Sequence, residues 1–203
     1  MLLQINPSNI DHRLIKTVVD VLKKDGIIIF PTDTVYAIGC NIYSNKAIEK
    51  ISRLKNVKPE KANFSFICSD LSHISDFTRP FDRSIYKMLN RSLPGPFTFI
   101  LNASSAVPAI FKNNKKTIGI RIPDHQIPLN IIKELGNPIM STSLHNEDEI
   151  MDYLTDPAEI FEKFENIVDL IIDGGYGGIE PSTIVDCTGM VSVIVRQGAG
   201  VLD

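Results

Sequence analysis

The sequence predicts an α/β fold, a twisted mixed sheet with helices packed on it. Apolar runs of strand length recur along the chain, and amphipathic stretches of helical period fall between them, interleaved without strict alternation. The last two strand-like runs follow one another across Thr188-Gly189-Met190, a short hairpin-like connection. The sheet therefore contains antiparallel pairs and is not a pure doubly wound one.

In chain order, residues 12–24 read as a helix. Asp11 caps it, Leu14, Val18, Val21 and Leu22 share a face, and Gly26 stops it. Ile27–Phe30 is a buried strand, and PTDTVYAIG at 31–39 is a loop at its C-terminal end. A second helix fits 45–54, capped by Ser44, with Ile48, Ile51 and Leu54 at helical spacing. FSFIC at 64–68 is a strand, and short helices fit 70–77 and 82–91. Pro94-Gly95-Pro96 breaks the chain before the strand FTFIL at 97–101. TIGIRI at 117–122 alternates as a strand does and ends at Pro123. Helices fit 127–135 and 157–165, the second with Asp156 as cap and Pro157 at its first position. Strands fit 138–142, 168–172, 182–187 and 191–196. No linker or repeat divides the chain, so residues 1–203 read as one domain.

Composition narrows the function. With 203 residues, 43% hydrophobic and 22% charged, the chain resembles an average globular protein. No apolar run approaches the roughly 20 residues of a membrane span, and no secretory signal pattern opens the chain. Cys40, Cys68 and Cys187 are odd in number and far apart, which argues for a reducing, cytoplasmic compartment and against a disulfide scaffold or CxxC metal site. The net charge of −3 is uneven, with eight acids and one lysine between His145 and Glu165. Basic clusters stand at Arg53, Lys55, Lys58 and Lys61, and at Lys112, Lys115, Lys116 and Arg121. Such patches suit anionic small molecules or RNA, or form a solvated face.

Four places carry candidate chemistry. Thr32, Asp33 and Thr34 put two hydroxyls and a carboxylate beyond a strand end, where α/β folds hold ligands; an ordinary turn is the alternative. Lys55, Lys58 and Lys61 with Asn63 suit a phosphate chain, although no Walker or dinucleotide fingerprint occurs. Arg121, in an apolar strand, needs a partner, either a ligand carboxylate or a structural acid. Ser141, Ser143, Ser182 and Arg196 sit at predicted strand ends. GGYGG at 174–178 reads as a flexible loop or turn. His12, His73, His125 and His145 show no metal-like spacing, and no G-x-S-x-G elbow is present.

Together PTDTVYAIG, PGPFTFIL, TIGIRIP, STS and PSTIVD followed by Arg196 resemble the YrdC/YciO family, from about Ile27 to Gly200. The resemblance implies a YrdC-like fold with a basic concave cavity, in the form without the extra C-terminal domain of longer relatives. It further implies an L-threonylcarbamoyladenylate synthase, making threonylcarbamoyl-AMP and pyrophosphate from L-threonine, bicarbonate and ATP for tRNA threonylcarbamoyladenosine modification. Mg²⁺ would accompany ATP, no residue would act as a covalent nucleophile, no dedicated metal ligands are expected, and tRNA or double-stranded RNA is a further partner. Carried over residue by residue, Thr32, Thr34, Cys68, Arg121, Ser141 and Ser182 fall on the threonine side. Lys55, Lys58, Lys61, Asn63, Thr117, Ser143 and Arg196 fall on the ATP side.

The chain departs from the synthase pattern in places. Lys55-Asn56-Val57-Lys58 replaces Lys-x-Arg-Pro, with Lys58 or Lys61 left to supply the missing charge by a shift in the loop. Cys68 stands where a histidine commonly follows the strand, and Ser143-Leu144-His145 replaces Ser-Ala-Asn. These features resemble the YciO branch. Two alternatives to the synthase follow: a YciO-type paralogue acting on a related adenylate or nucleotide, and a non-catalytic RNA-binding module.

Overall fold

The computed structural model describes residues 1–62, 64–111, 116–144 and 153–202. Among the expected functional positions, Asn63, Lys112, Lys115 and His145 lie outside the described residues. The strands are β1 (Leu2–Gln4), β2 (Ile28–Phe30), β3 (Ala37–Asn41), β4 (Ser65–Ile67), β5 (Phe97–Asn102), β6 (Thr117–Arg121), β7 (Ile139–Ser143), β8 (Leu170–Asp173), β9 (Thr183–Asp186) and β10 (Val193–Arg196). They form one sheet in the order β1-β8-β2-β3-β7-β4-β6-β5-β9-β10. The sheet is mixed, with β8 parallel to β1 and β2, β4 parallel to β6 and β5 parallel to β9. The other pairs are antiparallel, including the expected β9–β10 hairpin.

The helices are α1 (His12–Lys23), α2 (Asn45–Leu54), α3 (Leu71–Phe77), α4 (Arg83–Ser92), α5 (Gln126–Leu135) and α6 (Pro157–Phe164). Asp11, Ser44 and Asp156 cap α1, α2 and α6 by accepting backbone N–H groups, as the sequence predicts. The buried face of α1 is Ile15, Val18, Val19 and Leu22. Leu14 and Val21, expected on that face, are only partly buried at its flanks, because α1 packs on α5 as well as on the sheet. Asp25 turns left-handed after α1 (φ 61), and Gly26 follows where a Cβ would stand 2.4 Å from Val21 Cγ1.

Two strands correct the sequence reading. Residues 37–39, taken as loop, begin β3, which pairs with β2 and β7. Ala37-Ile38-Gly39-Cys40 is buried on both faces, so no alternation announces it. β1 has only three residues, too few to show a period, and is held by parallel pairing to β8.

Alternation along the strands divides the core. Ile29, Ile38, Cys40, Phe66, Ile118, Ile120, Met140 and Val185 belong to one cluster with Ile48 and Ile51 of α2, Ile74 and Phe77 of α3, Leu89 of α4 and Ile160 of α6. Ile28, Phe30, Ala37, Ile67, Ile139, Leu170 and Ile172 belong to the other, with the apolar faces of α1 and α5. That second cover spans only part of its sheet face. Further along the same face the register sets Ser65 opposite both Ser141 and Gly119. It sets Ser143 opposite Ala37 and Thr117 opposite Asn102. Small and polar groups thus replace apolar ones beyond the α1–α5 layer, and a polar stretch of the sheet face begins there.

Candidate functional site

The Pro31–Val35 loop leaves β2 and reaches Arg121 at the end of β6, although β3, β7 and β4 separate those strands. Thr32 Oγ1 donates to Val35 O (2.7 Å) and accepts the Thr34 N–H (3.1 Å), which fixes the loop. Arg121 Nη2 donates to Thr34 Oγ1 (2.7 Å), to Thr32 Oγ1 (3.2 Å) and to the Asp33 carboxylate. The structural acid left open by the sequence is therefore Asp33. Arg121 is only 7% exposed, so this pairing offsets part of its desolvation. The remaining Asp33 oxygen and Arg121 Nε are buried without a partner among the described residues. Burial pushes the Arg121 guanidinium below its ordinary pKa; Asp33 opposes that shift, and the nearby charge of Arg196 adds to it.

Arg196 reaches the site from β10. Its Nη2 donates to Ser182 O (2.7 Å), and Ser182 Oγ is hydrogen-bonded to Thr98 Oγ1 (2.8 Å). Among the described residues Arg196 forms no ion pair, and its charge lies within electrostatic reach of Arg121.

The glycine-dense segment forms a wall and is not a free turn. Tyr36 Oη donates to Gly175 O (2.7 Å) and accepts the Gly174 N–H (3.2 Å), and the Gly178 N–H donates to Thr34 O (2.7 Å). A Cβ at Gly178 would lie 2.4 Å from Thr34 O, so only glycine permits this approach. Burial pushes the Tyr36 phenol up to about 12.

His125, which spacing alone left unassigned, caps α5: its Nδ1 accepts the Ile127 N–H (3.3 Å). Burial lowers its pKa, against the charges of Asp33 and Asp124. Its place beside Asp33 is tertiary, so no local motif could reveal it.

The other expected positions divide. Ser141 is 5% exposed, with Oγ 3.4 Å from Ser65 O, and shares a sheet face with Ser143 and Thr117. Cys68 does not join them. It follows Ile67, the register partner of Arg121, so alternation turns it to the opposite face. There it is fully buried in the cluster under α2, α3, α4 and α6, and burial raises its thiol pKa far above the ordinary range. The proposed ligand contact at Cys68 is thereby corrected. Lys55 is the C-terminal cap residue of α2. Lys58 and Lys61 are exposed around the 3₁₀ turn Pro59–Lys61.

Fold and site define an α/β domain with hydroxyls and paired guanidiniums gathered at strand ends, suited to a small anionic ligand. A sequence model of the Sua5/YciO/YrdC family, described as telomere recombination, matches residues 20–198. An uncharacterized protein of Haemophilus influenzae is 42% identical over 97% of this chain and 94% of that protein. The uncharacterized Escherichia coli protein YciO is 39% identical over the same shares, 97% and 94%. Its crystal structure matches with a TM-score of 0.92 at 38% identity, covering 98% of this chain and 96% of that one. More distant is the threonylcarbamoyl-AMP synthase of Bacillus subtilis, 29% identical over 88% of this chain and 51% of that protein. The chain belongs to the Sua5/YciO/YrdC family. No helix among the described residues is long and apolar enough to cross a membrane.

Proposed function

We propose that the chain joins L-threonine, bicarbonate and ATP into threonylcarbamoyl-AMP and pyrophosphate, supplying the threonylcarbamoyl group for tRNA modification. One observation carries this reading. Arg121 and Arg196 lie within each other's electrostatic reach, and Asp33 forms the one ion pair seen with either among the described residues. The site is short of negative charge, and the substrate anions supply it. Arg121, Thr32 and Thr34 take the amino-acid carboxylate and hydroxyl, with Ser141 and Ser182 beside them. Arg196, Ser143, Thr117 and Lys55 face the nucleotide, with Lys58 and Lys61 toward its phosphates.

In this reaction the neutral amine of threonine combines with bicarbonate to give an N-carboxylate, with loss of water. That carboxylate attacks the α-phosphate of ATP, and pyrophosphate leaves. The protein holds two anions together and offsets their charge, an effect that proximity can make worth roughly 7–11 kcal/mol. The described residues gather no set of three or more His, Cys, Asp or Glu side chains able to hold a metal ion. In this reading Mg²⁺ accompanies the nucleotide on its phosphates.

A second reading is favoured by the Lys55–Lys58 departure and by the likeness to YciO: the same site acting on a related adenylate. Incubation with ATP, threonine and bicarbonate, followed by mass spectrometry, separates the two. Threonylcarbamoyl-AMP is expected; ATP binding without that product supports the second reading.

A further inference from the structure

The outer surface of α4 carries a second feature, which the chemistry at Arg121 does not use. A basic residue stands at every fourth position from Arg79 through Arg83 and Lys87 to Arg91, and all four are exposed. Within α4 the last three form one stripe, with successive cations about 6 Å apart along the axis. Tyr86, 50% exposed, and Asn90 flank that stripe, while Leu89 is buried in the core with Ile85 and Met88 packed against it. α4 contains no acid, and none of these cations is in an ion pair among the described residues.

At its N-terminal end the row meets a cavity of about 310 Å³. Arg79 and Lys116 stand on its wall, Val107 and Phe111 supply apolar surface, and Ser104 and Ser105 add hydroxyls. Arg79 is fixed there by donating from its backbone N–H to Asn102 O (2.8 Å) and from Nε to Ala103 O (3.2 Å). Thr117 lies on the boundary between this cavity and the hydroxyl row of the site. The α4 stripe itself is on the other side of the sheet, because Leu89 belongs to the cluster facing away from Ser65 and Ser141.

We infer that this surface binds a single-stranded nucleic acid, its phosphates along Arg91, Lys87, Arg83 and Arg79, with one base against Tyr86 and one nucleoside in the Arg79–Lys116 cavity. Regular cations, with Asp82 the one acid between Arg79 and Arg91, fit a repeating anion, and an exposed ring beside them offers a stacking surface. An acidic peptide would need neither the ring nor the cavity, and a lipid surface would need exposed apolar side chains that the stripe lacks.

The test is fluorescence anisotropy of a short labelled oligouridylate with the full chain in rising KCl. Four phosphate contacts on a single strand predict a log–log salt slope of about 3. The variant R83E/K87E/R91E is expected to lose at least about tenfold in affinity and about 2 from that slope. K16E/K23E/K24E, an equal charge change on and beside α1, is expected to leave binding intact. Tyr86→Ala, a single exposed change, is expected to weaken binding about tenfold through lost stacking. Equal losses in the two triple variants, equal competition by polyglutamate, preference for a duplex, or displacement by saturating ATP would each overturn the inference. Melting curves of the variants ensure that each comparison is between folded proteins.

Discussion

The Arg121 cluster and the Lys55–Lys61 segment, the two halves of the proposed site, are built in opposite ways. Arg121 is 7% exposed and bound through one nitrogen to Thr32, Asp33 and Thr34. Behind that loop, Tyr36 and Gly178 tie the 174–178 segment in place. At the other half a helix ends, a 3₁₀ turn follows, and Lys58 and Lys61 project into solvent. The first arrangement is preorganised for a ligand of fixed shape. The second offers movable charges, which suit a flexible phosphate chain.

The largest break expected is Arg121→Ala. It abolishes threonine binding in calorimetry and also strands the Asp33 carboxylate, at a stability cost of about 3–5 kcal/mol. Adding Asp33→Ala removes the orphaned charge and restores most of the melting temperature without restoring binding. A single variant that melts like the parent chain would show that the pair contributes nothing to the rigid half.

Next in size is Tyr36→Phe, which removes both bonds to the glycine wall and costs about 1–3 kcal/mol. The same phenol makes stability depend on alkaline pH. Its folded pKa, about 12, lies above the ordinary 10.0, so the unfolded chain ionises first. Stability is intact below pH 10 and falls as the pH rises toward 12. Chemical denaturation across that window is expected to show this loss in the parent chain and a smaller one in Tyr36→Phe.

What the sequence reveals follows the same division. Thr32, Thr34 and Arg121 are legible because a hydroxyl pair after a strand and a charge inside one are local anomalies. Their joining through Asp33 is not legible, since it depends on the loop passing over three intervening strands. The pairing of Ser182 with Thr98 is likewise tertiary, set by β5–β9 registry. β3 is not legible because burial on both faces erases alternation, and the face taken by Cys68 is not legible because a motif position does not say which face a residue takes. GGYGG reads as flexible from composition, whereas Gly177 and Gly178 are needed for close packing on Tyr36 and Thr34.

A smaller acid-side effect is expected from His125. Burial lowers its folded pKa below the ordinary 6.5, so the unfolded chain binds a proton first as the pH falls. Its contribution is present above pH 6.5 and is lost on acidification through the folded value. His125→Asn keeps a good N-cap for α5 and removes the titration. Its melting temperature should therefore depend less on pH below 6.5 than that of the parent chain. Identical pH profiles would place the acid sensitivity elsewhere.

The smallest effects are expected in the lysine half, and they decide which residue stands in for the missing arginine. Lys55-Asn56-Val57-Lys58-Pro59 has one residue more between lysine and proline than Lys-x-Arg-Pro. The end of α2 absorbs it. Asn56 turns left-handed (φ 51) and donates its N–H to Arg53 O (3.1 Å), while the Val57 N–H donates to Ser52 O (3.0 Å). These two bonds are the Schellman closure of a helix, and they hold Val57 half-buried. Lys58 is thereby the exposed cation directly before the proline, the place an arginine takes in the family pattern. Lys58→Ala should weaken ATP binding and slow pyrophosphate release about two- to fivefold, as expected for one exposed charge. Lys58→Arg should raise both, because a guanidinium binds phosphate through paired donors. Val57→Arg should change neither by more than about twofold, since a charge placed at the helix closure points to no phosphate. Steady-state pyrophosphate release on these variants checks the assignment, and a Val57→Arg protein faster than the parent chain would move the missing arginine's place back to position 57.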